Sequence, residues 1–182
     1  MSFHHLFETD LGFSGIAWNE RGICRFMLPM GRPEPVEERM LRPLEGSRAA
    51  EPAGIIAEAV AAARRYFSGE RVDFSAFPVD LDGVDPFRRA IYAAARRLSY
   101  GETTTYGGLA ADAGFPQAAR ETGVALGRNP VPLIIPCHRI LAAGGKLGGF
   151  SAPGGTATKQ RMLALENAAS PNAEPAQASF AF

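Results

Sequence analysis

The chain has 182 residues, 46% of them hydrophobic and 21% charged, a composition that suits one globular domain or two small ones. No run approaches the ~18 uninterrupted apolar residues of a membrane span. The start, Met1-Ser2-Phe3-His4-His5, lacks the basic and apolar regions of a secretory leader, so a cytoplasmic protein without membrane partners is expected. The formal net charge is zero, and the whole-molecule balance announces no nucleic-acid partner.

The distribution of charge is more informative. Residues 1–83 carry 9 Arg against 13 acidic residues, whereas residues 84–166 carry 10 Lys or Arg against 5. The second half is the basic one, with room for a modest phosphate-contacting surface. Cys24 and Cys137 make no disulfide framework, in keeping with a reducing compartment.

In chain order, residues 3–28 alternate apolar and polar around Gly12, Gly15 and Gly22, which predicts two or three antiparallel strands. Cys24 reads as a packed strand residue. His4, His5 and Cys24 match no zinc spacing, so neither metal nor cofactor is assigned. Pro29 to Pro52, rich in proline and charge, reads as a loop. Ile55, Ile56, Ala59, Val60, Ala63 and Phe67 recur at helical spacing over 53–67, with Gly69 as a stop. Residues 72–82 read as extended, and nothing in the first 83 residues carries visible chemistry.

Asp85 followed by Pro86 is a helix start, with Phe87, Ile91, Ala94 and Leu98 along one face. Short helices over 106–113 and 116–126, separated by Gly114, complete a helix-turn-helix pattern. Ala118, Ala119, Gly123 and Ala125 are small, and Arg120 is the single long basic side chain on the last of these. Small residues permit close approach to a minor groove, or simply tight helix packing. A final helix is expected over 157–167, and residues 168–182 read as a disordered tail.

The chemistry concentrates at Ile135-Pro136-Cys137-His138-Arg139. Val131 to Ile135 reads as a buried strand or extended segment, and Pro136 turns the chain as it presents the thiol. A nucleophilic cysteine needs a base or cation to populate its thiolate, and His138 and Arg139 are candidates.

The run from Asn129-Pro130-Val131-Pro132 through Pro136-Cys137-His138-Arg139 resembles the signature of the O6-alkylguanine-DNA alkyltransferases. So do Tyr100-Gly101-Glu102-Thr103, Tyr106-Gly107, Ala119-Arg120, Gly148-Gly149-Phe150-Ser151, Lys159 and Glu166. The likeness covers residues 72–167 well and the first 71 weakly. It implies an α+β protein with four parts. A small N-terminal domain of antiparallel strands and helix (1–71) and a linker (72–83) precede a winged-helix-like helix-turn-helix domain with the reactive cysteine (84–167) and the tail (168–182).

The resemblance further implies a monomer that flips O6-alkylguanine, or O4-alkylthymine, out of double-stranded DNA from the minor groove and takes the alkyl group irreversibly onto Cys137. His138 would act through a water and be held by Glu166, with the thiol pKa lowered to ~6. Asn129 would act as a hinge, and Tyr106 would help guanine leave. Arg120, Tyr106, Ala119 and Gly123 would meet DNA, and Ser151, Ile140, Pro132 and Phe150 would line the substrate pocket. Phe150 stands where many relatives have tyrosine. Gly107, Phe115 and Ala143 replace polar DNA contacts of some relatives, and Pro153 lies in a two-residue insertion. The competing readings are a thiol hydrolase, a DNA-binding protein without transfer chemistry and a transcription regulator. The absence of any histidine after His138 argues against the first, and the scarcity of polar base-reading side chains on 116–126 against the last.

Overall fold

The computed structural model of the protein describes residues 1–167. Its first three strands, β1 (Phe3–Thr9), β2 (Gly12–Asn19) and β3 (Gly22–Met30), pair antiparallel. The two-residue strand β4 (Arg48–Ala49) adds to β1 in parallel, giving the order β3-β2-β1-β4. Neighbouring side chains alternate between faces, as the pleat requires. Phe7, Ile16 and Phe26 enter the larger core, while Leu6, Ala17, Cys24 and Met27 pack in a smaller cluster on the opposite side.

Both faces are therefore covered. Helix α2 (Ile55–Phe67) lies on the larger core and buries Ile56, Ala59, Val60, Ala63, Tyr66 and Phe67. The other face is covered by α1 (Pro33–Leu41), within the stretch that the sequence assigns to a loop. Two prolines and four charges mask it, but Pro33 starts the helix and Val36 and Met40, one turn apart, provide its apolar stripe. Each fully buried large apolar side chain contributes roughly 1.5–3 kcal/mol. Two such residues suffice to anchor a short helix.

The segment 72–83 is packed. Val72, Phe74 and Phe77 are buried, and Ile23 donates to Pro78 O (2.9 Å) and accepts from the Asp80 amide (2.9 Å). These bonds cover part of the exposed edge of β3. Approach there is so close that a Cβ on Gly22, whose φ is +140°, would lie 2.7 Å from Pro78 O.

Beyond it, Asp85 caps α3 (Pro86–Ala95) by accepting from the Arg88 amide at 2.9 Å. Helices α4 (Tyr106–Asp112) and α5 (Ala119–Gly127) follow as a helix-turn-helix. The latter starts three residues later than its sequence suggests, because Pro116 to Ala118 form a turn closed by Ala118 N to Phe115 O. Strand β5 (Thr104–Thr105) pairs in parallel with β6 (Ile140–Leu141), which ties the chain just after Cys137 to the start of α4. Helix α6 (Gly155–Leu165) begins and ends two residues before expectation. The architecture is α+β, and the expected tail at 168–182 lies outside the described residues. The larger core runs from the sheet through α2 to α3, α5 and the Cys137 segment. Among the described residues, no helix is long and apolar enough to cross a membrane.

Candidate active site

Residues 131–135 form a tight turn, not the expected strand. Ile135 N donates to Val131 O (2.9 Å), and Leu133 adopts a φ of +79°, a left-handed conformation that costs a branched residue energy. Proline at 130, 132 and 136 deprives this apolar run of the donors a strand needs. Asn129 compensates: its Nδ2 donates to Ile135 O (2.8 Å), and its Oδ1 accepts from the Val131 amide (3.0 Å). Pro136 then opens a single 3₁₀ turn, Cys137–Arg139, in which all three residues are buried. Burial pushes the Cys137 thiol up, not down, while the Asn129 side chain and the Lys159 ammonium pull the other way. The resting residue is a thiol, so a base must remove its proton.

His138 is the next residue in the chain. It is fully buried, and its Nε2 lies 2.7 Å from Glu166 Oε1 at the C-terminus of α6. The Glu166 carboxylate is saturated. Oε1 also accepts from Tyr66 Oη (2.8 Å) and Arg139 Nη2 (3.0 Å), and Oε2 accepts from Arg139 Nε (2.9 Å) and the Gly101 amide (3.0 Å). Burial works against its charge, yet the bonds from His138 and Arg139 outweigh it and hold the carboxyl well below the usual range. Burial also lowers the His138 pKa, so the resting imidazole is neutral. An ionised carboxylate can only accept, hence the proton of the neutral ring is on Nε2 and the lone pair is on Nδ1. That Nδ1 has no hydrogen-bond partner among the described residues.

The roles of three contributors to this cluster escape the sequence reading. Tyr66, on α2, donates to Glu166 and stands 3.3 Å from His138 Nε2, which corrects the expectation that the first 83 residues carry no chemistry. Arg139, considered as a cation for the thiol, turns away to Glu166 and to Leu98 O (2.7 Å). Lys159 is fully buried, donates to Ile140 O (2.5 Å), and faces the rings of Tyr106 and Phe150 at 5.7 and 5.9 Å. Its pKa is pulled down to about 8 by burial. A buried Tyr hydroxyl or Lys amine always needs partners, and that is the sequence signal they leave.

Two cavities meet at Cys137. One, of about 500 Å³, is lined by Tyr106, by Gly123 on α5 and by Gly149. The other, of about 420 Å³, opens toward β3 and α1 and includes Pro132 and Pro153. Leu126, Gly127, Phe150 and Ser151 border both. Tyr106 donates to Gly149 O (3.3 Å) and crowds Gly148, where φ is +67° and a Cβ would stand 3.2 Å from the ring. Ser151 Oγ donates to Gly127 O (2.9 Å), joining the loop after β6 to α5. Arg120 is exposed on α5 beside the partly exposed Ala119. Ile140 departs from expectation: it is wholly buried, lines neither cavity, and its carbonyl already accepts Lys159.

The chain is similar to several known proteins. Residues 86–168 match the family model described as 6-O-methylguanine DNA methyltransferase, DNA binding domain. A methylated-DNA–protein-cysteine methyltransferase of Mycolicibacterium paratuberculosis is 44% identical over 106 residues, 58% of this chain and 62% of that protein, so the alignment spans less than two thirds of that relative. A DNA base-flipping protein of Thermus thermophilus is 38% identical over 135 residues, 74% of this chain and 89% of that one. The crystal structure of Mycobacterium tuberculosis O6-methylguanine methyltransferase superposes with a TM-score of 0.74 at 30% identity, covering 95% of this chain and 97% of that one. A structure of M. tuberculosis OGT in complex with DNA gives 0.74 at 29% identity, covering 90% and 92%.

Proposed function

The chain belongs to the methylated-DNA–protein-cysteine methyltransferase family, and from that premise we propose that it repairs DNA directly, by accepting the alkyl group of O6-alkylguanine onto Cys137, once per molecule. The observation that carries the proposal is a buried thiol one residue from an imidazole whose Nε2 is fixed by Glu166 and whose Nδ1 is free to take a proton.

A base inside a duplex is out of reach, so the nucleotide must leave the stack at a cost of a few kcal/mol. Helix α5 presents Arg120 to fill the gap, with Ala119 and Gly123 permitting minor-groove approach. The flipped guanine enters the cavity beside Tyr106. His138 takes the thiol proton, through a water, and Glu166 stabilises the imidazolium without being protonated. The thiolate attacks the alkyl carbon, an S–C bond forms, and the C–O6 bond breaks with its electron pair passing to guanine. Tyr106 stabilises the departing base, which ends with the proton that left the thiol. Ser151 N–H would meet O6, and Asn129 keeps the turn in register. The division of labour follows the chain: residues 1–71 buttress, 72–83 connect, and 84–167 bind DNA and react. A reduced thiol suits the cytoplasm, and Cys24 and Cys137 are both free.

The thioether product has no activated carbonyl for water to attack, so the protein is consumed. The likeness to a base-flipping protein raises the second reading, recognition of alkylated DNA without transfer, and Cys137 is the residue that decides against it. Intact mass after mixing with duplex carrying one O6-methylguanine should rise by one methyl group, on Cys137, and saturate at one per chain. Cys137→Ser should bind the duplex and gain nothing. An unchanged wild-type mass would leave the binding reading in its place.

A further inference from the structure

The two cavities at Cys137 differ in chemistry. The one beside Tyr106 and α5 has no charged residue in its lining, as suits a flat neutral base. Its neighbour holds Arg25 from β3, Arg39 from α1 and Arg42 just beyond it, and no carboxylate among the described residues. Only Arg42 among these three has an ion pair within the described residues, with Glu38 at 2.8 Å. Arg25 is half-buried, its Nε has no partner among the described residues, and its Nη2 makes one long bond to Arg39 O (3.3 Å). A cation withdrawn from water without an anion is a costly arrangement unless something bound there completes it.

The geometry of displacement says what that is. Attack at carbon requires sulfur, carbon and the departing O6 to lie nearly in line, so any substituent on that carbon leaves sideways. With guanine in the cavity beside Tyr106, the adjoining space that also borders Cys137 is the arginine-lined one, which shares Leu126, Gly127, Phe150 and Ser151 with it. Its volume of about 420 Å³ is within the range of small-molecule sites.

We propose that the arginine-lined cavity is a subsite for the alkyl substituent, and that Arg25 selects O6-alkylguanines whose alkyl group ends in a carboxylate. A guanidinium pairs with a carboxylate through charge-assisted, two-pronged hydrogen bonds. The N-terminal sheet thereby enters substrate choice. This inference rests on Cys137 being the alkyl acceptor.

The test uses free bases, which carry no phosphate, and follows single-turnover labelling of the full chain by mass. O6-(4-carboxybenzyl)guanine should react about tenfold faster than O6-(4-aminomethylbenzyl)guanine, with O6-benzylguanine between them, and added salt should narrow the spread. In Arg25→Gln the ratio between the two charged probes should fall to about one, and in Arg25→Glu it should invert. Equal rates for the charged probes in the wild type would overturn the subsite, whatever the variants do. So would an unchanged ratio in Arg25→Gln, including the case where that variant slows only on duplex DNA, which would make Arg25 a phosphate contact. Should Arg25→Gln fail to fold, the wild-type spread and its salt dependence decide alone. Failure of all three probes to label the wild type would instead remove the acceptor reading and the subsite with it.

Discussion

The sheet and the Cys137 region are held together in different ways. Strands β1 to β3 are seven to nine residues long and share long ladders above a large apolar core. Around Cys137 the strands have two residues, and order comes from side chains that grip backbone: Asn129 on Ile135 O, Arg139 on Leu98 O, Lys159 on Ile140 O, Tyr92 on Ala125 O and Tyr100 on Leu165 O. A ladder spreads its stability over many residues. A side-chain strut concentrates position in one, so the site can be precise without being regular and is correspondingly fragile to single changes.

The sharpest contrast comes from Glu166→Gln. The amide cannot hold His138 Nε2–H and the Arg139 fork together, and transfer should slow by about a thousandfold through loss of the correct tautomer. The same change removes an acceptor from a buried ion pair and should cost about 3–5 kcal/mol of stability at neutral pH. The sign with pH is fixed. The folded carboxyl titrates well below the unfolded value of about 4.3, so its contribution is complete above that pH and disappears as pH falls further. The wild-type advantage over Glu166→Gln should therefore shrink below about pH 4 in denaturant titrations. An advantage that grows there would contradict the assigned ionisation.

Next in size, Asn129→Ala should slow transfer about a hundredfold by letting the thiol shift by a fraction of an ångström to an ångström. Unfolding free energy should fall by only about 2 kcal/mol, because two hydrogen bonds are lost. A large stability loss with normal transfer would turn the strut argument around. Tyr66→Phe keeps the ring against Phe67, Phe74 and Tyr100 but removes one donor from Glu166. Transfer should change only a few-fold. The less satisfied carboxylate should raise the His138 midpoint in a ring-nitrogen NMR titration, and a fixed midpoint would leave Tyr66 a packing residue. Smallest in chemistry is Ile16→Ala, wholly buried in β2. It should cost about 2–5 kcal/mol of stability yet leave the labelling rate of folded molecules unchanged.

The same contrast decided what the sequence could disclose. Cys137 and His138 are adjacent in the chain, and Asn129 acts on residues two and six positions away, so a local pattern contains them. Tyr66 lies 100 residues from Glu166 within an apolar helical stripe, where a buried tyrosine looks like any core aromatic. The apolar run Val131 to Ile135 correctly announced burial. Its prolines left too few backbone donors for a strand, and a polar residue outside the run, Asn129, set its shape. Helix α1 was hidden for the converse reason: its exposed face is all charge and proline, and two buried residues are too few to register as a period.

The Gly101 amide, bonded to Glu166 Oε2 at 3.0 Å, offers a consequence of its own. Tyr66, Gly101 and the His138-Arg139 pair reach the same carboxylate from three separate stretches of chain, so withdrawal of the carboxylate would release this proton to solvent. Its hydrogen-exchange protection is thus a local gauge of whether the relay is assembled, legible at one resonance before any substrate is added.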